Sequence, residues 1–309
     1  MRVLVIYSGN KGEASPFVRE QCEQLEHAGC TVRLFLVRGK GWQGYLSNRS
    51  LLVAAIREFQ PDIVHAHSGM SALLAGLQRK VPVVATFHGS DVNVPKLRLF
   101  TRMAMLLTRA HIVVSNDMKR KLNRSEIHVI PCAVDTAVFR PGDMIQARQS
   151  MGWNTQDRYI LFSSSFANAV KNAPLAHAAV AAMNDSTIQL VELSNKTRAE
   201  VAAMLNACDA ALMTSFSEGS PQFIKEAMAC GTPVVSTRVG DVAELSADVA
   251  GHFLTEFDAA KLANALHEAI RFRSTKRFTN GPAIIDARGL FPSALGSKLV
   301  SLYQSVLKR

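Results

Sequence analysis

The sequence predicts an α/β protein built from two doubly wound domains. Three observations lead there. Strand-sized apolar runs alternate with helix-period segments, the pattern of parallel sheets covered by helices on both faces. The alternation stops at Pro131 and restarts after Pro141-Gly142. The chain has 309 residues, too many for one ordinary core and comfortable for two of about 150 residues each.

In the first half, strands are expected at 2–7, 31–37, 62–66, 83–87, 111–115 and 127–130. Helices are expected near 16–28, 50–59, 70–79, 96–109 and 116–122. The stretch from Pro131 to Pro141-Gly142 reads as a linker. Strands then return at 158–164, 187–192, 209–214, 233–236 and 250–254, with helices near 173–183, 197–207, 221–230 and 258–272. A last amphipathic stretch, Gly296 to Lys308, reads as a closing helix. The expected division is 1–141, 142–290 and a terminal segment 291–309 that packs back toward the first domain. Open sheets of this type bind ligands at the carboxyl ends of their strands, so a cleft between two of them is the expected site.

Hydrophobic residues make up 48% and charged residues 19% of the chain, which excludes a disordered protein. The five cysteines are odd in number and form no C-x-x-C pair, which fits a reducing compartment. The apolar run at Val3–Tyr7 is too short for a signal peptide or a membrane span, so a cytoplasmic location is expected. Residues 1–150 carry 20 Lys and Arg against 11 Asp and Glu, while 151–309 carry 15 against 14. The basic excess therefore belongs to the first half. It reads either as a plain soluble basic face or as attraction to an anionic partner, such as a lipid surface on the inner face of the membrane or a phosphorylated acceptor. Lys119-Arg120-Lys121 with Arg124 is a basic run on a helix. It lacks the interleaved aromatics of a nucleic-acid surface, so no nucleic-acid partner is expected.

The richest stretch runs from Ser215 to Ser236. A strand ends near Thr214 and a loop carries Glu218. Ser220 reads as the N-cap of a helix and Pro221 as its first residue. The unpaired N–H groups and positive dipole end of that helix form a natural seat for a diphosphate. Glu226 lies just over one turn inside, Gly231 ends the helix, and Pro233 opens the next strand. Two carboxylates thus flank an anion-binding terminus. A carboxylate does not hold phosphate without a metal, so both must face hydroxyls or a developing positive charge, and sugar and ribose hydroxyls fit. The plainer reading is two solvated glutamates at an ordinary helix start.

This stretch resembles the Glu-x7-Glu signature of family 4 retaining glycosyltransferases, which have the GT-B fold of two Rossmann-like domains facing across a cleft. Other segments recur in the same order: Pro61–His67, Thr86–Asp91, Val129–Asp135 with Phe139 and Pro141, Lys171-Asn172, and Val239–Glu244. The resemblance spans residues 1 to about 255. It implies that Glu226 holds the donor ribose, that Glu218 contacts the transferred sugar near the reacting centre, and that backbone N–H groups around Gly219, Ser220 and Pro221 help bind sugar or diphosphate. It assigns Lys171 to the leaving diphosphate, His88 to the donor sugar across the cleft, and Gly12 and Glu13 to a position close to the diphosphate. Asn10, Lys11 and Asp91 are candidates for the acceptor side. It further implies retention of configuration, a UDP- or GDP-sugar donor, a polysaccharide, glycolipid or other cell-envelope acceptor, no cofactor and no divalent metal. The sequence contains no Asp-x-Asp.

One position departs from the family. Members carry an arginine, in a Gly-Arg pair, five or six residues before the phosphate lysine, where this chain has Ser163-Ser164-Ser165-Phe166. A charge-assisted contact contributes about 1.5–3 kcal/mol, so either Lys171 works with another basic residue, such as Lys11 or Lys225, or the donor phosphates are held more weakly. The departure keeps a second class open, a non-catalytic nucleotide-sugar binder of the same fold. A sugar epimerase of that fold would lack the paired glutamates.

Two further motifs point elsewhere. Gly39-Lys40-Gly41-Trp42-Gln43-Gly44 matches G-x-G-x-x-G, with Glu58 near the distance of a ribose-binding acid. An NAD oxidoreductase would need this motif after the first strand with the third glycine inside a helix. Here it follows the second strand, no helix is expected to start at Gly44, where Tyr45-Leu46-Ser47-Asn48 follows, and it is read as a glycine loop on the acceptor side. His65 and His67 share a strand face with His88 nearby, which reads as packed histidines rather than a metal site.

Overall fold

The computed structural model describes residues 1–10, 12 and 15–308. The elements fold into two compact units, Met1–Ala133 with Pro292–Arg309, and Val134–Phe291.

The first unit runs β1 (Arg2–Ser8), α1 (Pro16–His27), β2 (Thr31–Val37), α2 (Gly41–Leu46), α3 (Arg49–Phe59), β3 (Ile63–His67), α4 (Gly69–Gly76), β4 (Val83–Phe87), α5 (Gly89–Asn93), α6 (Pro95–Met105), β5 (Ala110–Val113), α7 (Asn116–Leu122) and β6 (His128–Val129). The second runs α8 (Met144–Ser150), β7 (Arg158–Phe162), α9 (Ala173–Ala182), β8 (Ile188–Glu192), α10 (Arg198–Ala207), β9 (Ala210–Met213), α11 (Gln222–Cys230), β10 (Val234–Thr237), α12 (Val242–Leu245), β11 (His252–Thr255), α13 (Ala259–Lys276) and α14 (Gly281–Ala287). The last helix, α15 (Pro292–Leu307), belongs to the first unit.

Both sheets are parallel, ordered β2-β1-β3-β4-β5-β6 and β11-β10-β9-β7-β8. β3 and β4 are buried at every position, as expected of central strands covered on both faces. In each sheet the chain order reverses once, between β1 and β3 and between β7 and β9. These reversals leave crevices at the strand carboxyl ends. In the first unit α15 supplies Leu295, Leu299, Leu302, Tyr303 and Val306 to the core beneath β1, β3 and β5.

Three expectations need correction. The boundary falls at Ala133/Val134 rather than after Pro141, because Val134 and Phe139 are buried in the second core and the Val134 N–H donates to the Leu290 carbonyl at 2.8 Å. Gly44 does lie in a helix, α2, where it packs on Gly39 so closely that a Cβ on Gly39 would meet the Gly44 carbonyl oxygen at 2.7 Å. The motif still follows β2 and not β1. Finally, Pro221 is the N-cap of α11 and Gln222 its first residue, one position later than expected. The short helices α2, α5, α8, α12 and α14 were not anticipated. Each has seven residues or fewer, too few turns to show a period.

Candidate functional site

In the second unit the chemistry gathers where the sheet order reverses. The loop after β7 carries Lys171 and the loop after β9 carries Glu218. Hydrogen bonds stitch the two loops together. The Thr214 hydroxyl donates to the carbonyls of Lys171 and Asn172, both at 2.9 Å, and the Phe216 N–H donates to the Val170 carbonyl at 2.9 Å. Asn172 has φ +56°, a left-handed turn that asparagine tolerates better than most residues. Held this way, Lys171 Nζ lies 2.7 Å from Glu218 Oε1, with both side chains mostly shielded from water.

The Glu218–Ser220 loop is supported from below. Gly240, at φ +56°, approaches so closely that a Cβ there would meet the Glu218 carbonyl oxygen at 2.9 Å. Asp241 lies beside Ser220, and its burial pushes its carboxyl up to about 6, opposed by the Ser220 hydroxyl and by Lys225. The Ser220 side chain does not cap α11, contrary to expectation. Gly219 and Ser220 lead into Pro221, where α11 begins with no side-chain cap. The first N–H groups of a helix have no acceptor within the helix itself.

Glu226 lies on the second turn of α11 and is 3% exposed. Burial pushes its carboxyl above the usual carboxylate range, opposed by Arg198 and Lys225. Arg198 forms an ion pair with it, Nη2 to Oε1, at 2.8 Å. The guanidinium also lies over the Phe139 ring, 4.5 Å from its centroid. Lys225 is fully buried, and its charge acts on Asp241 and Glu226. That placement removes it as a substitute phosphate cation.

Sequence reasoning missed Arg198. A signal was present: Thr197 and Glu200 form a capping box that starts α10, and Arg198 is the first residue of that helix. A cation there opposes the helix dipole. Departures from local preference mark functional positions.

The first unit holds a histidine cluster at the ends of β3 and β4. His65 contacts the Tyr303 hydroxyl at 2.6 Å through Nδ1 and the Thr86 hydroxyl at 2.7 Å through Nε2. His67 Nδ1 lies 3.1 Å from His88 Nε2, and those rings stack with centroids 5.4 Å apart. Burial lowers His65 to about 3 and His67 well below its ordinary value, so both rings are neutral. His88 precedes α5, and Asp91 accepts its N–H at 2.8 Å and that of Gly69 at 3.0 Å. Asp91 is buried and pushed up to about 6 by that burial. Its oxygens shape the backbone around His88. Asn10 exchanges two bonds with Gly39, both 2.8 Å, so its amide locks the loop after β1 to the glycine turn. Gly12 is exposed at φ +93°. Lys11 and Glu13 lie outside the described residues.

Residues 2–138 match the model of Glycosyltransferase Family 4, and residues 172–271 match that of Glycosyl transferases group 1. The chain belongs to the family 4 glycosyltransferases. D-inositol 3-phosphate glycosyltransferase of Mycobacterium marinum is 27% identical over 259 residues, covering 68% of this chain and 56% of that protein. The chain thus spans little more than half the length of the curated relatives it matches. Among solved structures, sucrose-phosphate synthase from Thermosynechococcus elongatus aligns with a TM-score of 0.84 at 17% identity over 99% of both chains. Anabaena Alr3699/HepE in complex with UDP and glucose aligns with a TM-score of 0.80 at 18% identity, over 99% of this chain and 100% of that one. These likenesses give the fold, GT-B. The NAD reading of the glycine motif gives way to this family.

Proposed function

We propose that this family 4 protein transfers a sugar, with retention of configuration and without a divalent metal, from a nucleoside-diphosphate donor to a polysaccharide, glycolipid or other carbohydrate acceptor. The Lys171–Glu218 pair carries the reading: a cation and an acid lie 2.7 Å apart at the sheet reversal, beside an uncapped helix start. Breaking an anomeric C–O bond builds positive charge on the sugar and negative charge on the diphosphate. A site that presents fixed groups of both signs stabilises both changes. The diphosphate takes the Lys171 ammonium and the first N–H groups of α11. Glu218, relieved of its partner, accepts hydroxyls of the transferred sugar. Glu226 accepts the ribose hydroxyls. The bound UDP and UDP-glucose of Alr3699/HepE favour a UDP-sugar over a GDP-sugar.

The test is donor hydrolysis without acceptor. Incubated with a panel of nucleotide sugars, the protein is expected to release nucleoside diphosphate slowly, equally well with and without a chelator. A melting shift with no release of diphosphate would establish instead the non-catalytic binder that the missing arginine kept open. Loss of release in the chelator would refute metal independence.

A further inference from the structure

Large apolar side chains line the outward face of α6. Leu99, Met103 and Leu106 are 60%, 44% and 76% exposed, although all three are large and apolar. Their i, i+4, i+7 spacing places them on one stripe of the helix and its C-cap. Lys96, three residues before Leu99, and Arg102, three after it, flank that stripe and are also exposed. On the opposite side Thr101 is buried and donates to the Asp91 carbonyl at 2.9 Å. A Cβ on Gly69 would meet the Thr101 hydroxyl at 2.6 Å, so α6 sits tightly on α4 and cannot rotate its apolar stripe inward.

Charge separates this face from the basic run on α7. There, Lys121 and Arg120 both pair with Asp117, and Arg124 pairs with Glu126. Lys121 also donates to Asn93 at 2.9 Å. Internal acids thus partly neutralise the run singled out by sequence. Between Asp91 and Asp117 the chain has no acidic residue and four basic ones, Lys96, Arg98, Arg102 and Arg109. Among the described residues no acid pairs with Lys96, Arg102 or Arg109.

We infer that the outward face of α6 docks on the anionic headgroup surface of a membrane. An interfacial helix buries an apolar stripe just below the headgroups while flanking cations meet lipid phosphates. Leu99, Met103 and Leu106 supply the stripe, and Lys96 and Arg102 the flanking charge. A second copy of the chain would set the same uncompensated cations against each other, which disfavours self-association through this face. The helix lies on the surface and does not cross it: among the described residues no helix is long and apolar enough to span a membrane. The inference is independent of the transferase reading, because its test needs no sugar.

The full chain is sedimented with vesicles of phosphatidylcholine alone and with vesicles of equal parts phosphatidylcholine and phosphatidylglycerol. The expected result is about tenfold or greater preference for the anionic vesicles. Leu99→Ser with Leu106→Ser should lower that partition by about tenfold, since each leucine loses the apolar burial it gains in the interface. Lys96→Glu with Arg102→Glu should lower it similarly, whereas Lys119→Gln with Arg120→Gln should change it by about twofold or less. All substituted positions are on the surface, so melting temperatures should match the parent protein. As a direct reporter, Leu106→Trp should shift its fluorescence to the blue on anionic vesicles. Equal pelleting with both vesicle types, no pelleting with either, full pelleting of the double serine variant, or an unshifted tryptophan would each overturn the assignment.

Discussion

The Tyr303 hydroxyl lies 2.6 Å from His65 Nδ1, although 238 positions separate the two residues. Both are fully buried, and the pair ties α15 to the centre of the first sheet. Burial raises Tyr303 well above its ordinary value, so its O–H donates to Nδ1 and the His65 Nε2–H donates to Thr86. Tyr303→Phe leaves a buried acceptor unmet, at about 1–3 kcal/mol. The urea midpoint of the first unit should fall accordingly; an unchanged midpoint would remove this bond from the account of how α15 is held.

His65 also makes a pH prediction. Its folded value is about 3, below the ordinary 6.5, so the unfolded chain binds the proton more readily. The stabilisation is fully present above 6.5 and is lost as pH falls toward 3, with a slope of up to about 1.4 kcal/mol per pH unit. His67 acts in the same direction. Asp91 and Asp241, raised from 3.8 to about 6, act in the opposite sense: they weaken the fold as pH rises from 3.8 to 6. Replacing His65 with Asn should flatten the acid limb of a stability–pH curve measured by chemical denaturation. A limb of unchanged steepness would show that other groups govern acid unfolding.

Lys171 and Glu218 should separate in kinetics. Lys171→Met removes the cation meant for the diphosphate, so both donor affinity and turnover should fall, turnover by about a hundredfold or more. Glu218→Gln should keep nucleoside diphosphate binding and lose turnover. Calorimetry with the diphosphate and rate measurements with the sugar nucleotide distinguish the two; equal loss of diphosphate binding in Glu218→Gln would place that acid on the wrong half of the donor.

Arg198 is expected to keep Glu226 ionised in its buried position. With Arg198→Met the remaining opposition to desolvation comes from Lys225, and the carboxyl rises further. Diphosphate affinity should drop by about tenfold, the cost of a charge-assisted contact. The acid limb of affinity against pH should move upward. A variant weakened equally at every pH would show a purely structural role for Arg198.

Gly240→Ala tests the support of the Glu218 loop. The added methyl meets backbone at 2.9 Å in a left-handed conformation that alanine resists, so the loop must shift. Stability should fall by about 1–3 kcal/mol, and donor binding should weaken with it. Unaltered melting and binding would mean that the loop yields freely.

The two sheets, the helices of ten residues or more, Glu218, Glu226 and the Gly231 stop were legible because hydrophobic period, caps and turn residues act over a few neighbours. Short helices were illegible for the same reason: α5 and α12 span little more than one turn, too few for a repeat to show. Pro221 misled by one position because proline fits both the cap and the first turn.

The linear order of residues determined that this chain alternates strands and helices in two blocks and brings two acids to one helix start. Only the folded chain decided which cation each acid meets, Lys171 for Glu218 across 47 positions and Arg198 for Glu226. It also decided that Lys225 is buried, that Tyr303 reaches His65, and that α6 keeps its leucines in water. Local patterns follow from steric and solvent preferences within a turn or two. Ion pairing and exposure depend on which distant surfaces a sheet order brings together, and no spacing along the chain encodes that distance.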